Sequence, residues 1–258
     1  MTERSTSKFA TRMVAGLAVL ALAAAPTAVL GSATGAVKAS HECTPDTPGL
    51  LFRTCREYPA SVPMSFLADT SGSKVANADF LAAVEGSLDA WNMAWPSGNA
   101  FTYGGTTSSG FGRDGKNTIS WGNPNSCGIP GAAAVACIWF EGSSGRAAHS
   151  IVEVDIVLNK TETWKQASGV EALAGEASGT IGTATAAWLD VQSVITHELG
   201  HALGLDDIGN KTTSWPFALS DAGRHTQTMY RWTYRGSTHM RTLDAGDIAG
   251  VLVIWQKL

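Results

Sequence analysis

Charge is scarce in this chain: only 16% of its 258 residues are Asp, Glu, Lys or Arg, with 18 basic against 22 acidic side chains. A formal charge of −4 and no basic face exclude phosphate-backbone binding, so no nucleic-acid partner is expected. Internal repeats are missing, which excludes a solenoid or propeller. Disorder is excluded as well, because 44% apolar residues supply the core of one sizeable domain. Cysteine is limited to Cys43, Cys55, Cys127 and Cys137. Neither close pair has the two-to-four-residue spacing of a zinc knuckle, so disulfides are the expected use, with closeness in sequence favouring Cys43 with Cys55 and Cys127 with Cys137. All three connectivities remain open on sequence alone.

The N-terminus carries Arg4, Lys8 and Arg12 ahead of an uncharged stretch from Met13 to Leu30, with small-residue sites near Ala36 and Ala39. Residues 1–39 are therefore predicted to be a signal peptide, and the mature protein to be secreted. The alternative is an uncleaved anchor, but the run is rich in Ala and Gly and falls short of the roughly 20 apolar residues of a good span. No membrane association is expected after cleavage, and a monomer is expected. The signal takes four basic and one acidic side chains, which leaves the exported part at −7.

Residues 40–63 hold four of the nine prolines, at 45, 48, 59 and 63, and residues 40–60 are expected to be an irregular lead-in to a domain over 61–258. Val62 to Leu67 reads as a strand. Phe80, Leu81, Val84, Leu88, Trp91 and Trp95 recur with helical spacing over 77–95. Short apolar runs at 101–103, 117–121, 133–140 and 151–158, separated by Gly, Ser and Asn, predict a sheet whose last run is an inner strand. Helical spacing returns from Val191 to Leu203, with Asp190 placed to cap its start and Gly204 to end it, and once more from Asp244 to Gln256.

The second helix contains His197-Glu198-Leu199-Gly200-His201, continuing to Gly204 and Asp207. Positions four apart differ by about 40° around a helix, so both imidazoles face one way and can grip one ion. Glu198 lies about 100° from His197, too far round to share that ion but placed to address a water beside it. Gly204 lets the chain turn off the helix and return Asp207 toward the same ion. Three protein donors and an open fourth position are the arrangement of a catalytic zinc site, with His197, His201 and Asp207 as ligands and Glu198 as general base. Asp206 and His225 compete with Asp207 for the third place. No Glu follows Glu198, which removes a downstream helical Glu as the third ligand, whereas Asp244 or Asp247 is the choice in an aspzincin-like reading.

The segment HELGHALGLDD, with Thr228-Met229-Tyr230 downstream and Asp247-Ile248-Ala249-Gly250 in the closing helix, resembles the metzincin metallopeptidases, most closely the matrixins. An Asp in place of the usual third His is similar to the snapalysin group. The resemblance covers roughly residues 60–258 and implies an α+β fold: a twisted mixed sheet of about five strands with three helices, and a cleft between an upper part and a C-terminal lower part. It implies a secreted zinc endopeptidase acting on polypeptides bound extended along the strand at Ala133 to Phe140, Ala133 and Val135 among the contacts. It further implies that Met229 lies beneath the metal. Tyr230 and Trp232 would wall the specificity pocket or else pack under the last helix. Calcium is compatible with the family, but no residues here point to it. Exchanging an imidazole for a carboxylate lowers the summed charge of ion and ligands from about +2 to about +1, which predicts a weaker pull on water. The reading from another class is an exported binding or adhesion module with a structural or silent zinc.

Overall fold

The computed structural model describes residues 51–55, 57–141, 150–168, 187–209 and 226–258. The predicted signal, Cys43, His225 and the residues 210–225 around it lie outside the described residues. Among the described residues no helix is long and apolar enough to cross a membrane.

The fold is mixed α/β, with three α-helices and a mostly parallel sheet. Its strands are β1 (Arg53–Thr54), β2 (Tyr58–Pro59), β3 (Met64–Asp69), β4 (Phe101–Thr107), β5 (Asn117–Gly122), β6 (Ala134–Glu141), β7 (Ser150–Asn159), β8 (Trp164–Lys165), β9 (Leu189–Asp190) and β10 (Leu205–Asp206). The helices are α1 (Asn77–Ala94), α2 (Val191–Ala202) and α3 (Ala245–Trp255). The main sheet has six strands, against an expectation of about five, in the order β4-β3-β5-β7, with β6 on the far side of β7 and β2 beside the start of β7. Every pairing in it is parallel except β6 with β7.

The lead-in is not irregular throughout. Tyr58–Pro59 joins the main sheet, and Arg53–Thr54 pairs antiparallel with Leu205–Asp206. Two-residue strands among prolines carry no periodicity, so hydrophobic pattern could not reveal them.

Helix α1 buries Phe80, Val84, Leu88 and Trp91 on one stripe, and it stops at Ala94 because Trp95 precedes Pro96 and must be extended. The Asn92 side chain then fastens the return to β4, accepting the N–H groups of Ala100 and Phe101 at 2.9 and 2.8 Å. Indole Nε1–H of Trp91 donates to Thr196 O at 2.7 Å, locking α1 against α2 across the main core.

Strand β7 is the inner strand expected, yet it buries two acids, Glu153 at 3% exposure and Asp155 at 0%. Both are satisfied by the β4–β5 connection and the start of β5. Glu153 accepts the N–H groups of Asp114 and Gly115, each at 2.8 Å, and Asp155 those of Gly112 and Thr118, each at 2.9 Å. This anchoring sets Phe111 against Trp139 of β6 at the cleft rim, ring centroids 5.8 Å apart. Burial pushes the Asp155 carboxyl up to about 7, against the pull of its two N–H donors and with a push from the Glu153 and Asp114 charges. A carboxyl raised in the folded state keeps its proton where the unfolded chain has lost it, so stability falls as pH rises from about 4 to about 7 and is then level. Urea unfolding at stepped pH should show that slope in the wild type and lose it in Asp155→Asn; an unchanged slope would place its origin elsewhere.

Cys127 and Cys137 form a disulfide that ties the short 3-10 turn Pro124–Cys127 to β6, one of the two expected pairs. Cys55 is also disulfide-bonded.

Candidate metal centre

Helix α2 begins at a rigid point. The Asp190 carboxylate accepts Ser193 N–H at 2.9 Å as its cap and is itself gripped by Arg241 through Nε at 2.8 Å and Nη2 at 2.6 Å. Asp190 is fully buried, so this bidentate pair compensates a charge that would otherwise be costly. Seven and eleven residues beyond the cap, the imidazoles of His197 and His201 emerge on the cleft side.

Each imidazole is oriented by a backbone carbonyl. His197 Nδ1 lies 2.7 Å from Thr228 O and His201 Nδ1 lies 2.9 Å from Leu205 O. A carbonyl only accepts, so Nδ1 of each ring carries the proton and Nε2 is the nitrogen left for a metal. The structure returns Asp207 to this place: its Oδ1 is 3.2 Å from His197 Nε2 and 3.6 Å from His201 Nε2. One donor atom from each of the three residues lies within 4.8 Å of the others, so the group could hold a metal ion. Zinc with bonds of about 2.0–2.1 Å to tetrahedral ligands needs donors about 3.3 Å apart, and the two Asp207 separations straddle that value. The donor set of two neutral imidazoles and one carboxylate suits zinc among several divalent ions.

Without an ion, the three groups hold one another. Burial pushes His201 down, but the Asp207 hydrogen bond and charge and the Glu198 charge outweigh it, raising His201 to about 10. Burial raises Asp207, but the two imidazoles overcome this and hold its carboxyl well below the usual range.

The third donor is delivered by backbone pairing on both sides. Leu203 ends α2 and Gly204 turns at φ +96°, where a side chain would also strike the Glu57 carbonyl. Next, β10 pairs with β1, and Cys55 N–H donates to Gly204 O at 2.7 Å. Beyond Asp207, Ile208 N–H donates to Met229 O at 2.9 Å and Arg231 N–H to Ile208 O at 3.0 Å. Arg53 of the lead-in reaches Asp207 O at 2.7 Å and Asp206 Oδ2 at 2.6 Å. Asp206 thus faces Arg53, and its Oδ1 accepts Asp207 N–H, so it stands outside the donor group.

Met229 sits under α2. A methyl group on Gly200 would collide with the Met229 sulfur and approach Trp91 Cζ2 to 2.8 Å, so the glycine between the two histidines lets helix, Met229 and α1 close together. The turn holding Met229 hangs from Asp247, whose carboxylate accepts the N–H groups of Thr228 at 2.8 Å, Met229 at 3.0 Å and Asp244 at 3.0 Å. Burial raises the Asp247 carboxyl, and those three N–H donors oppose the shift. Asp244 and Asp247 form a capping box on α3 and are not among the three donors that lie together, against the aspzincin-like choice. Through Thr228, Asp247 supports the carbonyl that orients His197.

Glu198 is 6% exposed, on the cleft beside the histidines. Its carboxylate takes a backbone N–H bond from Ala136 of β6. Burial raises its carboxyl, the two imidazoles and Ala136 oppose this, and Asp207 adds to it. The cleft has a volume of about 1160 Å³ and is bounded by β6, the cleft side of α2 and residues 230–233. Among the described residues β6 pairs with β7 alone, which leaves its other edge toward this space.

The remaining expected contacts divide. Ala133 and Val135 both line the cleft, but the Val135 side chain packs with Cys137, Trp139 and Val157 on the outer face of the sheet. A ligand on the edge would meet its backbone. Trp232 is 40% exposed on the cleft. Tyr230 is fully buried and packs with Ile208, Tyr234 and Met240, so its ring is principally a support, though it borders the space. Arg53 and Arg231 were not readable as parts of the centre, since only the tertiary fold brings them to it; Thr228 and Asp247 were singled out in the sequence, but not their hydrogen bonds to His197 and to the Met229 turn.

No protein-family model matches the chain, and no curated protein matches it.

Proposed function

We propose that the protein is a secreted zinc-dependent endopeptidase of metzincin type, matrixin-like in outline and with Asp207 as a snapalysin-like third ligand. The observation that carries this reading is Glu198: a buried carboxylate aimed into a wide cleft beside three convergent donors, a group for which a structural zinc has no use. The edge of β6 across from it, unpaired with any strand among the described residues, supports an extended polypeptide as substrate, since an added strand gains main-chain hydrogen bonds while its side chains alternate.

His197, His201 and Asp207 would hold zinc, which when bound supplies Lewis acidity to a peptide carbonyl and acidifies water. Glu198 takes the proton of the attacking water and passes it to the departing amine nitrogen. Burial suits it to both steps, because a raised carboxyl exchanges a proton nearer neutral pH. Val194, Leu189 and Trp232 give the cleft an apolar side for a substrate residue.

Purified mature chain should cleave an unstructured protein such as reduced, denatured albumin, lose that activity in chelator and regain it with zinc. Chelator-resistant cleavage would remove the zinc mechanism. Absence of cleavage by zinc-loaded, folded protein would favour the binding or adhesion module instead.

A further inference from the structure

The Asp207 carboxylate has two oxygens with different partners. Oδ1 faces the histidines, and Oδ2 lies 3.1 Å from Arg231 Nη2. Arg231 comes two residues after Met229, and its own N–H is fixed to Ile208 O at 3.0 Å, so its guanidinium is held close to the Asp207 turn. The side chains of Arg231 and Asp207 are 23% and 21% exposed, and Arg231 Nε is buried without a hydrogen-bond partner among the described residues. A guanidinium with five donors that spends this placement on a single carboxylate oxygen is not anchoring the fold at large. Arg53 makes the contrast: it holds the main chain of Asp207 and the side chain of Asp206, and the scaffold accounts for it.

We propose that Arg231 is the positioning residue of the third ligand: it engages Oδ2, so that Asp207 presents Oδ1 alone to the metal. The inference rests on the metal-site reading above. A carboxylate with both oxygens unoccupied can rotate or offer both to one ion. A cation fixed on one of them removes that freedom.

The test is zinc affinity of the intact mature chain, by competition with a chromophoric chelator at one pH, together with the absorption spectrum of the cobalt-loaded protein. Arg231→Ala should weaken zinc binding about 10- to 100-fold, the usual cost of losing an outer partner of a ligand, and should alter the cobalt spectrum. Arg231→Lys should recover part of the loss. If the alanine variant does not fold without metal, Arg231→Gln, which keeps a donor and drops the charge, carries the same comparison. Zinc bound by these variants as tightly as by wild type, or more tightly, would overturn the proposal and leave the metal site standing. Wild type that binds no zinc would instead overturn the metal site itself.

Discussion

Glu198→Gln should lower peptide cleavage by about 10²- to 10⁴-fold while zinc content and thermal unfolding stay at wild-type values, the range expected for loss of a positioned general base. The amide has nearly the carboxylate's shape, and its oxygen can still accept the Ala136 N–H, so the cleft keeps its form. What it cannot do is take a proton from water. Steady-state rates on a quenched fluorescent peptide, beside metal analysis of the same preparation, separate chemistry from metal loss. A glutamine variant retaining more than about a tenth of the activity would mean that Glu198 is no base here.

Asp207→Ala should abolish tight zinc binding, with a loss greater than the roughly 10- to 100-fold typical of an outer partner. The reason is more than one missing donor. The two imidazoles remain, but Arg231 loses the carboxylate it faces and stands as an uncompensated cation beside a dication. Removing Arg231 as well should restore part of the affinity, so the two substitutions are not additive. Competition titrations of wild type, Asp207→Ala and the double variant decide this. Equal affinity in wild type and Asp207→Ala would make another residue the third ligand, with His225 the first to examine.

The centre was legible in the sequence where it is local. His197 and His201 share a helix face because they are four apart, and Asp190 and Gly204 mark the ends of that helix by chemistry that operates within a few residues. The inner strand at β7 was legible because Ile151, Val154, Ile156 and Leu158 leave little else for the segment to be. Its burial of Glu153 and Asp155 was not, since their partners are N–H groups of a glycine-rich connection roughly 40 residues away, as the 37 to 43 residue separations record. The same limit applies to Arg53 and Arg231. Nothing in periodicity or spacing links Arg53 to a turn 154 residues on, and the contact exists only because β1 pairs with β10. For Tyr230 the sequence left wall and packing both open, for a related reason. Exposure of an aromatic depends on what packs behind it, and here Ile208, Tyr234 and Met240 enclose the ring.

The lead-in changes meaning in this light. Residues 51–59 read as an irregular approach to the domain, but they supply a strand beside the third-ligand turn, the carbonyl that Gly204 accommodates and the guanidinium on Asp207 O. The candidate metal centre is thus closed from the N-terminal side by a segment far from its motif in sequence.

Zinc stoichiometry bears most directly on the account as a whole. Metal-free mature chain dialysed against buffered zinc and analysed by elemental methods should hold one zinc per chain, and His197→Ala and His201→Ala should hold none under the same conditions. Folded wild-type protein that takes up no zinc, or histidine variants that keep it, would contradict the assignment of this centre.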